Sequence, residues 1–196
     1  MEIMKTSIET ILDNIKNAEE YLDEKSIEEF EDVIMNADNI FVTGAGRSGL
    51  AAKAFAMRLM HLGLSAYVVG ETISPAINEG DCIVAISGSG ETNTIVSAVT
   101  IAKNRGSKVL AVTSYPDSTL GQLSDCYLFV KGRTKKEVDD ENYLKRQIYG
   151  NYTSLTPLGT AFELTTLVFL DAIVSELMEK MHQTESDLKA RHTVLE

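Results

Sequence analysis

Cys82-Ile83-Val84-Ala85-Ile86-Ser87-Gly88-Ser89-Gly90-Glu91-Thr92 is the stretch on which the fold turns. Five apolar residues without polar alternation read as a strand buried on both faces. The chain then turns through serines and glycines and opens a helix from about Thr92 to Asn104. Glycines let a backbone curl so that successive N–H groups point inward. A helix N-terminus adds partial positive charge. Ser87, Ser89 and Thr92 add hydroxyls. Ser87, Gly88, Ser89, Gly90, Glu91 and Thr92 therefore read as a phosphate cradle. Simple capping of the helix accounts for one hydroxyl. Three hydroxyls with two glycines at a strand's carboxyl end go beyond it. The cradle lacks the lysine of a P-loop, which argues against a nucleoside triphosphate with magnesium.

Upstream, Ile40-Phe41-Val42 leads into Gly44-Ala45-Gly46-Arg47-Ser48-Gly49, and a helix follows from Ala51 to Leu62. This second turn matches G-x-G-x-x-G. Glu71 ends the strand Ala66–Val69, where a dinucleotide fold places its ribose-binding acid. Taken alone, the turn leaves a nucleotide-dependent oxidoreductase open. Arg47 and Ser48 bring a cation and a hydroxyl that a plain dinucleotide turn does not need. Downstream, Val109–Val112 and Tyr127–Val130 read as the fourth and fifth strands, and Gly159 to about Met181 as a long closing helix. Strands separated by helices imply an α/β fold with a parallel sheet covered on both faces. Such sheets bind ligands at the carboxyl ends of their strands. Two hydroxyl-bearing turns there suit a phosphorylated sugar, one gripping the phosphate and the other, through Gly46, Arg47 and Ser48, contacting the rest.

The remainder of the chain gives its organisation. Residues 1–36 form a helical arm, 36–181 the core and 182–196 a tail of one domain. In the arm, Ile8, Ile11, Leu12, Ile15 and Leu22 recur at helical spacing, predicting one or two amphipathic helices. Its many acidic residues mark a solvated face or a surface that packs on a second subunit. Residues 131–156 fit no element, although Glu141–Tyr149 suits a helix. A loop of that length is usually functional or mobile. The tail is expected to be disordered unless docked.

Composition narrows the function. The 196 residues carry 18 basic against 29 acidic side chains, a net charge of −11. That excess of acid argues against nucleic acid as a partner. Two cysteines, Cys82 and Cys126, make no disulfide framework. No run of about 18 apolar residues offers a membrane span, and the N-terminus lacks a signal-peptide plan. A soluble, cytoplasmic protein is expected.

Several segments together resemble the sugar isomerase (SIS) domain family, and within it the 6-phospho-3-hexuloisomerase group. They are Gly46-Arg47-Ser48-Gly49, Ala56-Met57-Arg58-Leu59-Met60-His61-Leu62-Gly63, Val69-Gly70-Glu71-Thr72, Ile86–Thr92, Pro157-Leu158-Gly159-Thr160-Ala161-Phe162-Glu163 and Arg191-His192. The resemblance covers roughly residues 36–181. It implies a flavodoxin-like three-layer α/β/α sandwich with a five-stranded parallel sheet. It also implies the interconversion of D-arabino-hex-3-ulose 6-phosphate and D-fructose 6-phosphate in the ribulose monophosphate pathway, alongside a hexulose-phosphate synthase. A homo-oligomer, a tetramer with sites near subunit interfaces, is expected from the resemblance and the acidic arm. Regulators that carry this domain as a phosphosugar sensor supply the non-catalytic alternative.

Moving a carbonyl between C3 and C2 proceeds through an enediol and needs an acid and a base, with no metal or redox cofactor. The three histidines and two cysteines show no metal-ligand spacing. Glu163, in the first turns of the closing helix, is the preferred base, and the resemblance of the Phe162-Glu163 pair supports it. A glutamate in a first helical turn is also common for dipole reasons alone. Glu71 is the rival. His61 and His192 are the candidate proton shuttles, each reaching a site only across a subunit interface, and His61 also suits a structural role. Met57, Met60 and Phe55 read as core or interface.

Overall fold

The computed structural model describes residues 1–132 and 160–194. Five strands, β1 (Ile40–Gly44), β2 (Ala66–Val68), β3 (Cys82–Ile86), β4 (Lys108–Thr113) and β5 (Cys126–Phe129), form one sheet in the order β2-β1-β3-β4-β5. Every pairing is parallel. The helices are α1 (Glu2–Glu19), α2 (Glu24–Asn36), α3 (Arg47–His61), α4 (Asn93–Asn104), α5 (Thr119–Leu123), α6 (Thr160–Lys180) and α7 (Glu185–Ala190).

Strand periodicity divides the core in two. Ile40, Val42, Cys82, Val84, Ile86, Leu110 and Val112 pack with α2, α3 and α6 on one face. Phe41, Ile83, Ala85, Val109 and Ala111 pack with α4 and Leu120 of α5 on the other. Both faces of β1, β3 and β4 are thus covered, which is why those strands are apolar throughout rather than alternating. The α/β sandwich and its five parallel strands are as the sequence led one to expect.

Three local details go beyond the sequence reading. The arm is two helices, parted at residues 20–23, because Asp23 caps α2 by accepting from the Ser26 amide at 2.9 Å and the Ser26 hydroxyl at 2.6 Å. Helix α5 was not expected, since five residues are too few to show a period. The tail is ordered as α7, with a capping box in which the Thr184 and Asp187 side chains each bond the other's backbone amide. The expected helix at Glu141–Tyr149 lies outside the described residues.

The ion pairs Arg47–Glu163 (3.6 Å) and Arg58–Asp171 (3.5 Å) join α3 to α6. Higher numbers on one helix meet higher numbers on the other, so the two run side by side in the same direction. Both therefore begin at the carboxyl end of the sheet.

Candidate active site

In the order β2-β1-β3-β4-β5 the chain leaves β1 to one side for β2 and to the other for β3, and a crevice opens between the carboxyl ends of β1 and β3. Gly44 and Ile86 are register partners, so the two glycine turns start one strand spacing apart. The residues of both turns are brought together at this crevice.

The first turn is tight. A Cβ on Gly44 would lie 2.6 Å from the Ser48 carbonyl oxygen, and one on Gly49 would lie 2.7 Å from that of Gly44. Gly46 is the N-cap of α3, with φ 59°, and no side chain caps that helix. Ser48 is buried in its first turn, while the Arg47 side chain is half-exposed.

In the second turn the carbonyls face the fold. Ser87, Gly88 and Gly90 accept from the amides of Gly90, Ser114 and Leu120 at 3.1, 3.2 and 3.0 Å. Thr92 is the N-cap of α4, yet its side chain makes no cap bond. Its hydroxyl lies 3.0 Å from that of the buried Ser87 instead. The helix N-terminal N–H groups therefore keep their capacity for an anion. Gly90 has φ 66°, and a Cβ there would collide with Ser118. Ser89 accepts from the Glu91 amide at 3.3 Å. The Glu91 carboxylate reaches away, accepting from the Thr119 amide at 3.0 Å and its hydroxyl at 2.8 Å. It holds the start of α5 against the cradle, a tie the sequence did not reveal.

Glu163 comes to the same place from the first turn of α6. Phe162 lies against Gly88, where an added Cβ would sit 3.1 Å from its ring, and its backbone closes on Gly132. This seats the first turn of α6 on the cradle. The Glu163 side chain is 16% exposed, and its Oε2 is buried without a hydrogen-bond partner among the described residues. Arg47 Nε stands 3.6 Å from that oxygen, inside ion-pair range but beyond a hydrogen bond. Burial pushes the Glu163 carboxyl above the usual carboxylate range, while its own backbone amide and the Arg47 guanidinium pull it back. The upward direction is the one that general-base work calls for.

The rival acid is set apart. Glu71 accepts from Lys53 Nζ at 2.7 Å on the surface beyond β2. That bond holds its carboxyl below the usual range, the wrong direction for a base.

Neither histidine reaches this crevice in its own chain. His61 ends α3, about 20 Å of helix from Arg47. There its buried ring stacks on that of His192 at 5.1 Å. Arg191 ties the tail down by donating to the His61 carbonyl at 3.0 Å and to Gln183 at 2.9 Å. Sequence alone weighed the two histidines separately; the capping box at Thr184-Glu185-Ser186-Asp187 was the signal that the tail is ordered. Phe55 is core, whereas Met57 and Met60 are exposed on α3.

The SIS domain model matches residues 33–156. The chain is 49% identical over 189 residues to an uncharacterized protein of Archaeoglobus fulgidus, covering 96% of this chain and 98% of the other. It is 37% identical over 195 residues to the 3-hexulose-6-phosphate isomerase of Bacillus subtilis, covering 98% of this chain and 100% of that one. A crystal structure from Methanococcus jannaschii, with an inferred function of 3-hexulose-6-phosphate isomerase, superposes with a TM-score of 0.79 at 30% identity, covering 96% and 98% of the two chains.

Proposed function

The chain belongs to the SIS domain family, and on that premise we propose that it is an isomerase interconverting D-arabino-hex-3-ulose 6-phosphate and D-fructose 6-phosphate. Isomerases of that substrate match it over essentially their full length. The observation that carries the reading is Glu163, a carboxylate with one oxygen buried, next in sequence to Phe162, which packs on the Ser87–Thr92 cradle.

The chemistry follows from that placement. The cradle holds the phosphate through backbone N–H groups, the Ser87, Ser89 and Thr92 hydroxyls and the positive end of α4. Gly46 and Ser48 line the side toward the sugar, with Arg47 beside them within reach of the phosphate charge. Glu163 removes the proton from C2 of the hexulose, which lies α to the C3 carbonyl and is acidic for that reason. The electron pair forms the C2=C3 enediol. A proton returned to C3, with O2 and O3 exchanging theirs, yields the C2 ketone of fructose 6-phosphate. The reverse direction uses the same groups.

Within one subunit His61 and His192 lie at the far end of α3, so either serves this chemistry only from a neighbouring subunit. The reading thus includes a homo-oligomer, a tetramer, in which that end of one subunit meets the crevice of the next. A monomeric mass by light scattering at assay concentration would remove both histidines from the mechanism. The ribulose monophosphate pathway, with a hexulose-phosphate synthase supplying or consuming the hexulose, and a cytoplasmic setting complete the proposal. Among the described residues no helix is long and apolar enough to cross a membrane.

The test is a coupled assay in which a synthase generates hexulose 6-phosphate and fructose 6-phosphate is measured. Turnover is expected. A folded protein that binds fructose 6-phosphate without turning it over would instead be a phosphosugar sensor.

A further inference from the structure

Arg47 has two claims on it. It opens α3 just after Gly44, whose register partner Ile86 leads into the turn that faces the phosphate. It also stands 3.6 Å from Glu163 Oε2, without a hydrogen bond to it. The arginine side chain is 53% exposed, and the carboxylate oxygen is buried and has no other polar partner among the described residues. A half-exposed guanidinium paired loosely with a buried carboxylate is free to turn. A doubly charged phosphate ester arriving a few ångströms away is the stronger attractor, because Arg binds phosphate through paired charge-assisted hydrogen bonds.

Resting on the isomerase reading, we propose that Arg47 is a coupling residue: it holds the Glu163 carboxylate until substrate arrives, then turns to the phosphate and frees Glu163 to act as the base.

The consequence has a definite sign. A nearby guanidinium favours the ionised carboxylate, by about one to three pH units for a close pair. Among the described residues Arg47 is the charged group whose field acts on Glu163. The next pair along the two helices, Arg58–Asp171, is about three turns away on α3 and internally neutral. Glu91 is the titratable side chain of the cradle, and its carboxylate is turned to Thr119. Withdrawing Arg47 therefore leaves burial opposed only by the backbone amide of Glu163 itself, and Glu163 gains affinity for a proton when the sugar phosphate binds. The device gives a weakly basic carboxylate in the free protein and a stronger base only over a bound ester. A sugar lacking the phosphate would fill the crevice without releasing the base.

Steady-state kinetics as a function of pH tests this on the full chain. The acidic limb of kcat/KM reports Glu163 in the free protein, and that of kcat reports it in the complex. The wild-type protein should show the kcat limb about one pH unit or more above the kcat/KM limb. Arg47→Met should raise the kcat/KM limb and narrow the gap to what the charge of the phosphate alone produces, and Arg47→Lys should restore part of it. A purely structural role for Arg47 would lower both parameters and move neither limb. Limbs that coincide in the wild type, or a gap unchanged in Arg47→Met, would overturn the coupling while leaving the isomerase intact. Absence of wild-type turnover would overturn the isomerase reading itself. Should Arg47→Met turn over too slowly to profile, carboxyl 13C titration of Glu163, assigned by difference with Glu163→Gln, supplies the second readout. Fructose 6-phosphate should raise the Glu163 midpoint in the wild type, and raise it by less in Arg47→Met, where the charge of the phosphate acts without the departure of a guanidinium. Equal shifts in both proteins would refute the coupling.

Discussion

His61 and His192 stack with their ring centroids 5.1 Å apart and their planes 24° from parallel, at the end of α3 opposite Arg47. His61 is 3% exposed. Burial, with the charges of His192 and Arg58 behind it, holds the imidazole below its ordinary range. The folded chain thus binds this proton less readily than the unfolded chain does. The stability that follows is present above the unfolded midpoint of about 6.5 and is lost as pH falls through the folded value. Replacing the ring by one that cannot titrate should flatten that dependence. Between pH 7 and pH 5 the melting temperature of His61→Phe should fall less than that of the wild type. An equal fall in both would show that His61 does not carry the dependence.

Glu163→Gln removes the base and keeps the shape. Turnover should drop by at least about 100-fold. Fructose 6-phosphate should still bind with a dissociation constant near the wild-type value, because the cradle is untouched. Calorimetry beside the coupled assay separates the two effects. Activity within a few-fold of wild type would assign the proton abstraction to another group.

Gly88 tests how the base is positioned. Its φ is not in the left-handed region, so alanine there is not strained by its backbone; its methyl would meet the Phe162 ring at 3.1 Å. The ring must give by a few tenths of an ångström, and Glu163, the next residue, moves with it. Small misplacements of a catalytic group are costly to the rate. Gly88→Ala should therefore lower kcat about tenfold while shifting the melting temperature little. A large loss of stability with kcat preserved would mean that Phe162 is a packing residue alone.

These sites differ in how far sequence reveals them. Ser87 to Thr92 is contiguous, and a strand feeding a helix through it dictates where its N–H groups go. Placing Glu163 at the mouth takes one further condition, that the closing helix begins at the carboxyl side of the sheet, and the fold meets it. The pairing of Arg47 with Glu163 could not be read, since it depends on α3 and α6 lying side by side. The same holds for Glu91, which reads as a cradle residue but spends its carboxylate on Thr119. Local rules such as capping act within three or four residues and are legible. Contacts between distant segments are fixed by packing and appear only in the fold. The stacking of His61 on a tail residue belongs to that second kind.

Glu31 carries the last prediction. It lies on α2, 1% exposed, with Lys180 of α6 holding its Oε2 at 2.6 Å. Its Oε1 has no hydrogen-bond partner among the described residues. The carboxylate raises the Lys180 ammonium above the ordinary lysine range, chiefly through that direct bond. Removing the lysine alone leaves a buried carboxylate without its counter-charge, and breaking a buried pair costs about 3–5 kcal/mol. The ammonium is one-third exposed, so the lower end of that range applies. Lys180→Met should lose about 3 kcal/mol in urea unfolding. Glu31→Leu with Lys180→Met removes both charges and should recover most of the loss, because no buried ion is left behind. Since α6 also carries Glu163, kcat in the single variant distinguishes a local defect from a shifted helix. A preserved kcat is expected, as Lys180 lies at the opposite end of α6. A double variant as unstable as the single one would show that Glu31 is held by its packing rather than by its charge.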